Sequence, residues 1–326
     1  ADTGTAGAGT TITLLTHDSF SLSPATLAGF TAETGIVVEQ LAVGDAGTLV
    51  AQAVLTKDDP LGDVLFGIDS TFLQRGLDAG IFEPYRPPAL DDIADGLRAD
   101  LGLDPEHRVT PVDYGDVCVN YWIAGVATPP TSLDDLVKPE YAGQLVVQHP
   151  ETSSPGLAFL LATIAAYGDG WEDYWTALRA NGVAVAAGWE DAYYGDFAAG
   201  GGPRSLVVSY ASSPTAEVMF ADPPVVSAPT GVVVDSCFRQ VEYAGVLAGT
   251  DNPAAARRLI DFMLSPAWQD DVPLNMFVYP VVASTALPAV FVRHTAVPDD
   301  PLTLAPAEIE AGRDAWTQRW VEIVLR

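Results

Sequence analysis

Four aromatic residues, Trp189, Tyr193, Tyr194 and Tyr210, fall within the stretch Gly188–Pro214, among Glu190, Asp191 and the hydroxyls of Ser209, Ser212 and Ser213. Ring faces attract cations and neighbouring carboxylates add negative charge, so this composition suits a flat, cationic small molecule. The same aromatics read equally well as core. Three acids, Asp18, Asp45 and Asp69, each follow a β-rich run: TITLL, IVVEQL and DVLF. Singly, each reads as a helix N-cap. Together they recur at one edge of a parallel sheet, which is where open α/β proteins bind ligands.

The elements that must position these residues follow from periodicity and punctuation. Thr11–Leu15 reads as a strand, Pro24–Thr34 as a helix stopped by Gly35, and Ile36–Leu41 as a second strand, a βαβ unit. A helix over Thr48–Leu55 and a buried strand over Asp63–Phe66 continue the series, with Asp69 or Ser70 placed to cap the next helix. Residues 82–111 read as loop-rich. Strands are then predicted at Val117–Trp122, Gln144–Gln148, Val183–Ala187 and Leu206–Tyr210, with helices from Leu157 and over Trp171–Arg179. At the turn after Gln148, Thr152, Ser153 and Ser154 with Gly156 form a cradle for an anion or a hydroxyl, because the first N–H groups of a helix lack partners. Gly231–Asp235 and Phe238–Leu247 read as two separate elements. An amphipathic helix over Asn252–Leu264 and a final helix over Pro306–Leu325 complete the chain, with a loop at Asn275–Pro280 between them.

With 326 residues the chain is long enough for two domains, each with its own core. Fifteen basic against 43 acidic residues leave a net charge of -28, which repels phosphate backbones and anionic membrane surfaces and so excludes a nucleic-acid role. No apolar run approaches the roughly 20 residues of a membrane helix. The amino end, ADTGTAGAG, has neither a basic region nor an apolar core and reads as a mature start after signal-peptide removal, hence an exported protein. Its two cysteines, Cys118 and Cys237, are then either one disulfide or two buried thiols.

Enzyme signatures are set aside on chemical grounds. Asp2-Thr3-Gly4 matches the aspartic-protease triplet, but that chemistry needs two such carboxylates sharing a proton, and no second copy occurs. Walker A, HExxH, CxxC and GxSxG patterns are absent, and His17, His107, His149 and His294 do not share metal-ligand spacing.

The segment Leu247–Gln269, LAGTDNPAAARRLIDFMLSPAWQ, resembles a signature of family 1 extracellular solute-binding proteins of ABC transporters. The blocks Thr16–Phe20, Val64–Asp69, Val112–Gly115, Thr152–Gly156, Gly188-Trp189, Ser209-Tyr210, Ser212–Pro214 and Val278–Val281 fall in the order seen in the thiamine-binding periplasmic branch of that family. The resemblance covers nearly the whole chain. It implies a type II periplasmic-binding-protein fold, two α/β lobes joined by hinge strands with a ligand cleft between them. One lobe would take residues 1–113 plus about 237–280 and the other 114–236 plus about 281–326, with Cys118 and Cys237 flanking the crossings.

The resemblance further implies a non-enzymatic role: capture of thiamine or a thiamine phosphate as transported ligand, with no cofactor and no metal. The protein would act as a monomer in the periplasm or outside the cell, free or lipid-anchored, and deliver its ligand to an ABC permease and ATPase. Asp45, Ser154, Trp189 and Tyr210 match pocket positions of the branch; Asp69, Asp113 and Tyr193 join them by location. His17, Asp18, Ser19, Tyr114, Ser153, Ser209, Ser212 and Phe277 lie in or beside the matching blocks. The branch's usual tyrosine before Asp-Ser-Phe is His17 here, a tyrosine after Ser-Pro is Ala216 and a tryptophan before Tyr-Pro is Phe277, so several stacking surfaces are smaller. The alternatives are another cation, ferric ion or a polyamine, or a thiaminase-like enzyme on the same fold. Tyr193-Tyr194 with His17 superficially offers iron ligands, although adjacent residues do not face one way. The enzyme would need a nucleophilic cysteine.

Overall fold

A computed structural model describes residues 9–93 and 103–326. The Asp2-Thr3-Gly4 triplet and the amino-terminal head through Ala8 lie outside the described residues. The chain divides into two compact units: Ala1–Tyr114 with Val241–Pro288, and Gly115–Gln240 with Ala289–Arg326.

In the first unit, β1 (Thr11–Thr16) pairs in parallel with β2 (Val37–Ala42) on one side and with β3 (Val64–Asp69) on the other. The connecting helices are α1 (Pro24–Thr34) and α2 (Ala46–Leu55). Pro24 opens α1 at a position where its missing N–H costs nothing, and Gly35 ends it at φ 72° in the left-handed region. Ile12, Leu14, Phe20, Phe30, Phe66 and Trp268 form the centre of the core. Helix α3 (Leu73–Ala79) follows β3.

Two long strands contribute to both units. The strand β4 (Thr110–Trp122) and the strand β8 (Thr230–Leu247) each contain a unit boundary. The sequence suggested two elements in place of β8, because Asp235-Ser236 interrupts its apolar pattern. The strand is continuous because Ser236 is absorbed into it: its Oγ accepts from Val119 N at 2.8 Å and donates to Val233 O at 2.6 Å. Residues 82–111, read as loop-rich, also contain the short strand Phe82–Glu83, paired with Val246-Leu247 of β8.

In the second unit, β4 pairs antiparallel with β7 (Leu206–Tyr210), which lies parallel to β5 (Leu145–Gln148), itself parallel to β6 (Ala184–Ala186). Helix α4 (Ser154–Tyr167) is buried along most of its length, and α5 (Trp171–Ala180) packs beside it. Gly156 sits against Gln148: an added Cβ would lie 2.5 Å from that residue's carbonyl oxygen, so only glycine permits the approach. Cys118 and Cys237 form a disulfide within this unit. Both cysteines are thereby bonded to each other, and neither is a free thiol.

Candidate functional site

The predicted site residues of the first unit gather at the carboxyl ends of its parallel strands. His17, Asp18 and Ser19 follow β1, Asp45 follows β2 and Asp69 ends β3, so the three acids do lie at one sheet edge. One of them also caps a helix, and another closes a turn. Asp45 is the N-cap of α2 and accepts from Ala46 N at 2.6 Å. Asp69 Oδ1 accepts from Thr71 N at 2.6 Å, from Thr71 Oγ1 at 2.5 Å and from Phe72 N at 3.3 Å. Asp45 thus meets the capping expectation, whereas the helix after Asp69 and Ser70 has Phe72 at its N-cap, because a turn over residues 70–72 separates the strand end from the helix.

A residue that sequence reasoning missed organises this edge. Glu242 on β8 lies opposite Asp69 in the strand register, and its Oε1 is 3.3 Å from His17 Nε2. His17 Nδ1 is 3.1 Å from Ser19 Oγ. Gly67, at φ 97°, leaves room for the His17 ring, which any Cβ there would strike. Asp113, fully buried on β4, faces the same glutamate. The signal for Glu242 was a lone acid inside the apolar run Val241–Leu247, since a buried charge is retained only with a partner.

Burial and neighbours set opposite protonation tendencies in this cluster. Burial by itself pulls the His17 imidazole down, but the Glu242 charge and hydrogen bond, with Asp45 and Asp18, carry it above its ordinary value. Burial, then the charge and hydrogen bond of Glu242, push Asp113 well up. Glu242 is held below the usual range: burial opposes this, and His17 and then Asp113 outweigh it. Burial raises Asp69 to about 7 against the three donors it accepts from.

The remaining first-unit residues are aromatic. Tyr114 stacks on Tyr279 with ring centroids 5.1 Å apart and planes inclined by 16°. Phe277 has φ 56°, an uncommon conformation for a bulky side chain and one that tends to occur where function over-determines the backbone.

The second unit assembles the opening aromatic stretch around hydroxyls. Trp189 stacks on Tyr193 with centroids 5.0 Å apart, and its indole Nε1 donates to Ser209 Oγ at 2.9 Å. Ser209 Oγ in turn lies 2.8 Å from Ser213 Oγ, which accepts from Tyr210 N at 3.2 Å. Tyr193 OH donates to Glu217 Oε1 at 2.6 Å, and burial first, then that carboxylate, push its phenol well up. Tyr210 OH donates to Gln240 Oε1 at 3.3 Å. Residues Asp191–Asp196 form a π-helical turn, a rare irregularity frequent at functional sites.

Within that turn Tyr193 is buried while Tyr194 is exposed, so the adjacent pair does point two ways. Ser212 is buried beside Ser213. Ser153 and Ser154 stand at the amino end of α4, both buried, and Ser153 Oγ has no hydrogen-bond partner among the described residues. The sequence did not single out Glu217 or Gln240, whose roles arise only from contacts across elements.

Comparison with known proteins gives this geometry a family. Residues 59–295 match the family model described as bacterial extracellular solute-binding protein. The chain is 31% identical over 319 residues to the thiamine-binding periplasmic protein of Escherichia coli (strain K12), covering 97% of this chain and 94% of that one. It is 28% identical over 323 residues to the thiamine-binding periplasmic protein of Brucella suis biovar 1 (strain 1330), covering 97% and 92%. A solved structure of a periplasmic thiamin binding protein superposes with a TM-score of 0.86 at 29% identity, covering 97% of this chain and 96% of that chain. Iron-bound HitA from Pseudomonas aeruginosa, at 21% identity and a TM-score of 0.77 over 96% of this chain and 99% of that one, shares the fold alone. The fold is the type II solute-binding fold, and these relatives are periplasmic binding proteins. The chain therefore belongs to the bacterial extracellular solute-binding proteins.

Proposed function

We propose that this protein captures thiamine or a thiamine phosphate outside the cytoplasmic membrane and delivers it to an ABC importer. The observation that carries the reading is the identity of 31% across 97% of the chain to a thiamine-binding periplasmic protein. The chemistry of the residues supports it. An aminopyrimidine joined to a thiazolium is flat and positively charged, and Trp189 with Tyr193 beneath it offers a stacked aromatic face. Each offset stack or cation–π contact contributes about 0.5 to 2 kcal/mol.

In this reading Trp189, Tyr210 and Phe277 stack on the ligand rings, and Asp45 with Asp69 or Asp113 accepts hydrogen bonds from the amino group or offsets the positive ring. Ser153, Ser154 and the first N–H groups of α4 hold the hydroxyethyl or phosphate end. No covalent bond of the ligand is made or broken. His17, Asp18, Ser19, Tyr114, Tyr193, Ser209 and Ser212 position these groups. Tryptophan-fluorescence titration with thiamine, its mono- and diphosphate, spermidine and Fe(III) tests the proposal. Saturable quenching by a thiamine form is expected, with weaker or no response to spermidine and iron. No response to any thiamine form overturns it.

A further inference from the structure

Asp113 has no solvent exposure, and neither of its carboxylate oxygens meets a hydrogen-bond donor among the described residues. An ionised carboxylate so placed would carry a desolvation cost of several kcal/mol with nothing to offset it. Its neighbour, Glu242, is another carboxyl, and two adjacent carboxylates accommodate burial by sharing one proton. On its other side Glu242 faces His17 Nε2 at 3.3 Å. Asp18 and Asp45 face His17, and Asp69 faces Glu242 from the paired strand. The charge assignment that satisfies these contacts is a neutral Asp113, an ionised Glu242 and an imidazolium at His17. The cluster then holds no net charge, ringed by further acids.

We propose that the His17–Glu242–Asp113 cluster makes capture of a cationic ligand a proton exchange, in which the incoming cation expels one proton from the cluster to solvent. The idea rests on the function proposed above, because it requires a positively charged ligand near His17. The balance is simple: one N–H bond at the His17 imidazolium breaks, the proton passes to water or buffer, and one positive charge replaces another. Glu242 acts as a positioning residue that keeps the exchangeable proton in place. Linkage then requires affinity to rise with pH, by up to about tenfold per pH unit for one proton released.

Isothermal titration with thiamine in phosphate and in Tris buffer counts the exchanged protons. Wild-type protein near pH 7 is expected to release close to one proton and to bind more weakly as the pH is lowered. Glu242→Gln is expected to release close to none; should it not fold, His17→Asn removes the titrating ring and carries the same expectation. Thiamine binding with identical heats in the two buffers overturns the exchange and leaves the proposed function standing. Absence of thiamine binding in both overturns the function and the exchange with it. An infrared spectrum of the ligand-free protein gives a second readout: the carbonyl band of protonated carboxyls near pH 8, where Asp69 is largely ionised, should lose its main component in Asp113→Asn. A wild-type spectrum without that band, or one unchanged by the substitution, overturns the proposal.

Discussion

The same two strands carry two buried acids three residues apart, and their surroundings differ completely. In the second unit, Asp116 of β4 pairs with Arg239 of β8, whose Nε lies 2.6 Å from Oδ1. In the first unit, Asp113 of β4 faces Glu242 of β8, and acid meets acid. Burial raises Asp116, and Arg239 pulls it back; burial raises Asp113, and Glu242 pushes it further. One acid faces a guanidinium and the other a second carboxyl. Strand position alone therefore does not fix the charge of a buried carboxyl: the partner across the ladder does.

The largest expected effect breaks the ion pair. Arg239→Ala leaves Asp116 buried without its cation and should cost about 3 to 5 kcal/mol of stability, read by urea unfolding. A cost below about 1 kcal/mol would erase the contrast between the units. Next in size is a pH effect. Asp69, at about 7 in the fold against 3.8 for a free carboxyl, binds its proton more tightly folded than unfolded. Its contribution to stability is thus complete below about pH 4 and is lost as pH rises toward 7, at up to about 1.4 kcal/mol per pH unit. Asp69→Asn keeps the acceptor for Thr71 and should abolish this slope; an unchanged slope assigns the pH dependence elsewhere.

Binding provides the third test. Trp189→Ala should weaken thiamine binding by about 1 to 3 kcal/mol, as loss of an aromatic anchor, with little dependence on pH because its partner Ser209 does not titrate and the phenol of Tyr193, on which it stacks, is pushed well up. A loss that varied strongly with pH would place the second unit's aromatics under the control of a titrating group. The smallest effect belongs to Asp113→Asn, which is isosteric with the neutral acid. It should change stability by about 1 kcal/mol or less, and a loss comparable to that of Arg239→Ala would mean that Asp113 is ionised.

Much of the site was legible in local pattern. Asp45 and Asp69 stand where a strand gives way to a helix, and a short acid there serves the free N–H groups whatever else it does. Trp189, Tyr193 and Tyr210 stood out as aromatics crowded beside hydroxyls and acids. Tyr193 and Tyr194 could be separated in advance, since neighbours on a regular element face apart. Glu242 was not identified, although its run of apolar neighbours marked it as an acid needing a partner. The partner, His17, lies 225 positions earlier in the sequence, and no periodicity connects them.

What the sequence determined by itself was the βαβ series, the Asp45 cap, the family and the pair of cysteines as the sole candidates for a disulfide. These depend on spacing within one or two turns of chain or on composition. Tertiary structure decided that β8 is one strand, because Ser236 finds backbone partners across the ladder. It decided too that Cys118 and Cys237 are bonded and that two acids three residues apart meet opposite partners, a cation at Asp116 and a carboxyl at Asp113. Those outcomes depend on which side chain arrives from a distant segment, and in a low-dielectric interior that arrival sets the energy of every ionisable group.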